Sequence, residues 1–215
     1  MMNRMRGVAG GILLWLIQVF ALSDIGVRAE QPLDNDLRNI GLGMSADDLP
    51  RTGYANFSCG AEPGRTFPDW QSWSDCPVSS AGMREIRFGY DPETNPEGTR
   101  VAGHPVILTL AIDSAGHVAG LRIETDPKAR LYARKKAFLL GVQTKSRYGA
   151  EGWVCTESQP SAGEQAVGGV YVNERCSKTI SGRNLMVERR LFRGPDQDVK
   201  SFVDETRISI LLAKG

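Results

Sequence analysis

The residue types able to do chemistry are few in this chain: four cysteines, two histidines and a loop bearing tryptophans. Cys59, Cys76, Cys155 and Cys176 make an even set, which in an exported chain reads as disulfides. Four cysteines allow three connectivities. Cys59–Cys76 and Cys155–Cys176 are the expected pairs, because each closes a short local loop. Each closure would add about 3 kcal/mol in the chain-entropy account. A four-cysteine zinc site would need close C-x₂₋₄-C pairs, and the sequence has none.

His104 precedes Pro105 at a strand start, and His117 closes a hairpin after Gly116. Either imidazole could act as the base of a hydrolase with a hydroxyl in hydrogen-bond reach. No G-x-S-x-G elbow accompanies them, and lone histidines at strand ends are expected to face solvent. H-E-x-x-H, a full calcium loop and a lysine-bearing phosphate loop are also missing. No catalytic residue, metal or cofactor is therefore expected.

Phe67, Trp70 and Trp73 lie between Cys59 and Cys76. Aromatics on a loop locked by a disulfide match the preorganised anchors that dominate protein interfaces. The same side chains could equally tuck into the core of a small stapled unit. These three are the candidate binding residues. Trp153, beside Cys155, is expected to pack on its own cystine. Seven cations from Lys128 to Arg147 (Lys128, Arg130, Arg134, Lys135, Lys136, Lys145, Arg147) suit either an acidic partner or a solvated helix face.

The elements that must position these groups follow from periodicity. Residues 84–90 alternate, with Ile86, Phe88 and Tyr90 on one face; 105–112 and 118–125 alternate likewise. Asp113-Ser114-Ala115-Gly116 between the last two predicts a hairpin. Ser45 in GLGMSADDLPRTGY is a plausible N-cap for a short helix. Asp126-Pro127 predicts a second helix running to Thr144, with Leu131, Tyr132, Phe138, Leu139 and Val142 as its buried stripe. Strands at 185–192 and 206–212 close the chain. Each half thus reads helix, cysteine strand, loop, cysteine, strands. The expected fold class is α+β: two tandem helix-plus-antiparallel-sheet units, 30–126 and 127–215, each with one local disulfide.

Residues 1–29 read as a signal peptide: Arg4 and Arg6, then the uncharged apolar run VAGGILLWLIQVFAL, then a small-residue cleavage pattern ending at Ala29. The run is shorter than the roughly 20 residues that span hydrocarbon, so no stable membrane span is expected after cleavage. Losing Arg4, Arg6, Arg28 and Asp24 takes the formal charge from +1 to −1. A near-neutral chain is not steered to nucleic acid.

GLGMSADDLPRTGY resembles the Gly-Met-Ser/Thr helix openings of the small outer-membrane assembly lipoprotein family. The tandem order, with one local disulfide per half, resembles the β-lactamase-inhibitor-protein-like folds. The chain lacks a lipobox cysteine, so the resemblance does not imply a lipoprotein. It implies a tandem α+β fold and no individual residue roles. Together these readings give an exported, non-catalytic binding or inhibitor-like module, periplasmic or secreted, whose partner is an envelope or secreted protein. The alternatives are a cofactor-free secreted hydrolase using His104 or His117, and a structural envelope protein.

Overall fold

Ten strands hydrogen-bond into one antiparallel array in the computed structural model, which describes residues 35–195, 197 and 201–213. The signal-peptide expectation, 1–29, lies outside the described residues. In chain order the strands are β1 (Tyr54–Cys59), β2 (Thr66–Phe67), β3 (Arg84–Tyr90), β4 (Arg100–Val101), β5 (His104–Ile112), β6 (Val118–Thr125), β7 (Val154–Glu157), β8 (Val172–Ile180), β9 (Arg183–Phe192) and β10 (Val203–Leu212). Two helices, α1 (Leu131–Arg134) and α2 (Phe138–Arg147), separate β6 from β7. The order across the sheet is β2-β1-β3-β5-β6-β10-β9-β8-β7, with β4 pairing beside β5.

Register explains the alternation. Ile86, Leu110, Leu121, Ile210 and Leu185 face one another in a row across five strands. Phe88, Leu108, Ile123, Ile208, Val187 and Cys176 form the next row. All eleven are buried. The opposite face carries charges placed directly across from one another: Arg175 against Glu188, Glu188 against Arg207, Arg207 against Glu124. Arg122 grips Glu85 through both terminal nitrogens, at 3.0 and 2.9 Å. An antiparallel sheet with one apolar and one ionic face needs cover on the apolar side only.

The expected two tandem units are not what forms. β6 of the first half pairs with β10 of the second over five residue pairs, from Arg207↔Glu124 to Leu211↔Gly120. Separate units would have left β6 and β10 as long unpaired edges, and pairing them removes both. The Arg207–Glu124 ion pair at 2.7 Å crosses this seam. The first half also contributes no α-helix among the described residues. The Ser45 cap holds, accepting from Asp47 N–H, but it starts only a three-residue 3₁₀ turn.

The second-half helix is present but broken and turned over. Leu131, Tyr132, Phe138 and Val142, expected inside, are 43%, 71%, 45% and 56% exposed. Ala137, Leu140, Gly141, Thr144 and Tyr148 are buried instead. These recur at helical spacing too, and small residues among them permit close docking. A Cβ on Gly141 would sit 3.2 Å from Val187 Cγ1 and 3.4 Å from Thr206 Cγ2. Thr206, fully buried, donates its hydroxyl to the Ala137 carbonyl at 2.8 Å. Close backbone approach, rather than side-chain size, chose the buried face.

Both expected disulfides form, Cys59–Cys76 and Cys155–Cys176. Such bonds belong to chains that mature in an oxidising compartment. No helix among the described residues is long and apolar enough to cross a membrane.

Candidate functional site

The aromatic loop is where sequence reasoning placed the binding residues. Trp70 is 3% exposed, and its indole N–H donates to the Pro50 carbonyl at 2.9 Å. Its ring sits edge-on to Phe57, Phe88 and Tyr54, with centroids 4.6, 4.9 and 5.7 Å away. Trp70 is thus part of the buried core cluster. Phe67 stacks on Phe57 and remains half-buried; Trp73 is half-buried against the core beside Gly116. The disulfide staples this cluster to β1. Trp153 is also half-buried, and its indole N–H donates to the Gly149 carbonyl.

The two histidines sit in different surroundings. His104 is 7% exposed rather than solvent-facing. Its pKa is pushed below the ordinary value by burial first, then by Lys136 and Arg100. His117 is exposed and lies 3.9 Å from Asp113 Oδ1, an oxygen already accepting from the Ala115 and His117 backbone N–H groups. Neither imidazole has a hydroxyl partner among the described residues.

A cavity of about 270 Å³ lies between the apolar sheet face, α2 and the segment before β1. Its floor is Ile123, Ile208 and Ile210, with Leu37 and Val101 beside them. Arg38, Arg100 and Arg147 line it, together with the rings of Tyr90 and Tyr148. Two tight turns deliver two of the arginines. Leu37 and Ile40 bond to each other across Arg38 and Asn39, and Arg38 takes φ 51°. Val101 and His104 pair across Ala102 and Gly103, both at positive φ, next to Arg100. Two-residue hairpins need such backbone, and non-glycine residues held there cost roughly 1 kcal/mol or more, a strain that collects at binding sites.

Arg38 lies 3.4 Å from the Tyr90 ring centroid and donates to Asn95 Oδ1 at 2.7 Å. Arg147 donates to the Asn35 carbonyl at 2.7 Å. Arg100 donates to the Gly103 and Glu97 carbonyls, with the exposed Glu97 carboxylate 3.6 Å away. Among the described residues, neither Arg38 nor Arg147 has a carboxylate partner. The cavity is therefore positively charged above an apolar floor.

Its one acidic lining group among the described residues is saturated. Asp36 Oδ1 accepts from Arg183 Nε at 2.6 Å and from the Tyr148 hydroxyl at 3.1 Å. Asp36 Oδ2 accepts from Leu42 N–H at 2.9 Å and from Arg183 Nη2 at 3.1 Å. Burial, then the Asp36 charge, pushes the Tyr148 phenol up to about 12. The Thr144 hydroxyl is committed to the Leu140 carbonyl. These groups hold the wall of the cavity through hydrogen bonds to one another and to neighbouring elements.

A wider cleft of about 690 Å³ shares Arg100 and adds His104, Arg130, Tyr132 and Lys136. Its charged lining is wholly basic. Sequence reasoning singled out Arg130, Lys136 and Arg147 within the basic run, but not Arg38, Arg100, Tyr90 or Asp36. The available signal was the turn-prone Asp36-Leu37-Arg38-Asn39 stretch. No local spacing joins it to α2, more than a hundred positions on. No protein-family model, no curated protein and no solved structure matches the chain.

Proposed function

We propose that this chain is an exported, non-catalytic binding module, periplasmic or secreted, that captures a small amphipathic carboxylate. The carboxylate is free or is carried at the end of an envelope or secreted partner protein. One observation carries the reading: Arg38 and Arg147, with no carboxylate partner among the described residues, line a half-open cavity floored by isoleucines. A carboxylate would take charge-assisted hydrogen bonds from the guanidinium groups, and its apolar end would cover Ile123, Ile208 and Ile210. The cavity's volume sits just below the usual range for small-molecule sites, roughly 300–1,000 Å³, which favours a compact ligand. The saturated Asp36 and the cationic surroundings of His104 support binding over turnover.

Calorimetric titration of the mature, oxidised protein tests this. N-acetyl-leucine should bind, and its amide, with the same apolar group but no charge, should not. Arg38→Ala and Arg147→Ala should each weaken binding by about tenfold, as the loss of a hydrogen bond to a charged group implies. Equal affinity for acid and amide, or unchanged affinity in both variants, overturns the reading.

A further inference from the structure

The two cystines sit in opposite surroundings. Cys59 and Cys76 are both fully buried beneath the aromatic cluster. Cys155 is exposed on β7, the edge strand, every residue of which is exposed. Its partner Cys176, directly opposite in register on β8, is fully buried. The Lys145 ammonium from α2 lies 2.9 Å from Cys176 Sγ and 3.8 Å from Cys155 Sγ. Glu174 Oε2, 3.2 Å from Lys145 Nζ, tethers that ammonium between strand and helix.

We propose that Cys155–Cys176 is a thiol-exchanging disulfide, with Cys155 the sulfur attacked and Cys176 the leaving group. The co-reactant is a thiol. Its thiolate attacks Cys155 Sγ; a new sulfur–sulfur bond forms there, the Cys155–Cys176 bond breaks, and its electron pair leaves on Cys176 Sγ. The thiolate so formed lies against Lys145, whose positive charge stabilises it and lowers its basicity. A leaving thiol of lower pKa departs faster. A second thiolate then attacks the external sulfur of the mixed disulfide and releases Cys155. In sum, two thiols are oxidised to one disulfide and the protein cystine gains two electrons; one thiol proton ends on Cys155 and the other goes to solvent, leaving Cys176 as the thiolate beside Lys145. The Cys59–Cys76 bond is buried, and the cation beside it, Arg84, donates to the Cys76 carbonyl; this bond takes no part.

The experiment uses the mature, oxidised protein under native conditions with reduced glutathione. Chelator is present because Cys155, Glu174 and Cys176 bring three donor atoms within 4.8 Å. Samples are quenched in acid, alkylated and mapped by mass spectrometry. Cys155–Cys176 should open at least about tenfold faster than Cys59–Cys76, and the glutathione adduct should sit on Cys155. Lys145→Met should slow opening by about tenfold, and Lys145→Arg should restore most of the rate. Equal opening of both cystines, an adduct on Cys176, or an unchanged rate in a folded Lys145→Met protein overturns the proposal. If Lys145→Met fails to fold, the wild-type rate ratio and adduct position decide the question alone.

Discussion

Asp36→Asn changes one atom and removes one charge from the wall of the cavity. The carboxylate it replaces is 1% exposed and faces Arg183, itself 11% exposed, at 2.6 Å. The asparagine carbonyl can still accept from Leu42 N–H. It cannot serve Arg183 at both oxygens or keep Tyr148 as a donor on the second. Breaking a buried ion pair from one side costs about 3–5 kcal/mol. The lower figure applies here, because Arg183 retains its bond to the Ser181 carbonyl. A loss of about 3 kcal/mol is a large share of a typical 5–15 kcal/mol stability. Equilibrium urea unfolding of the oxidised protein measures it, with Arg183→Gln and the double variant completing a cycle. The two single losses should exceed the double by 1 kcal/mol or more, roughly the coupling seen for residues in contact. Losses under about 1 kcal/mol, or strictly additive ones, would refute the claim that this pair holds the cavity wall.

Three further outcomes separate core from surface and set the acid response. Trp70→Ala should cost about 3–5 kcal/mol, as for other buried aromatics, while Trp73→Ala should cost no more than about 2 kcal/mol; thermal melting of both variants checks this, and equal losses would contradict the burial difference. The hydrogen bond from Arg122 holds the Glu85 carboxyl below its ordinary 4.5. That stabilisation is complete above 4.5 and disappears as pH falls through the lower folded value, so Glu85→Gln should flatten the acid limb of stability against pH. Burial holds His104 below its ordinary 6.5, so its neutral form favours folding. Protonation in the unfolded chain erodes this as pH falls from 6.5, and a His104→Asn difference curve should show stability lost in that window only by the wild type.

Strand content was legible because alternation is a local signal. Residues 84–90 and 118–125 match β3 and β6 at both ends, and the hairpin between β5 and β6 turns where Asp113 and Gly116 require. The local disulfides followed from proximity along the chain. Strand partnership across the halves did not, because nothing in residues 118–125 or 203–212 alone says that they pair with each other. The helix face failed for a different reason: Leu131, Tyr132, Phe138 and Val142 outweigh Ala137, Gly141 and Thr144 in apolar size. What docks against Val187 and Thr206 is set by how near a backbone can come. The aromatic loop was read correctly as stapled, yet Trp70's hydrogen bond to Pro50 places it inside. The cavity went unseen because Arg38 and Arg100 meet Arg147 of α2 only in the folded chain, over Ile123 of β6 and Ile208 and Ile210 of β10.

The most direct test of capture at the arginine-lined cavity is a heteronuclear NMR titration of the oxidised protein with N-acetyl-leucine. Saturable shifts should gather at the Arg38 and Ala102 turns, at Tyr90 and along the last turn of α2, and should vanish in the Arg38→Ala, Arg147→Ala double variant. Shifts confined to Phe67 and Trp73, or none that saturate, would contradict the account.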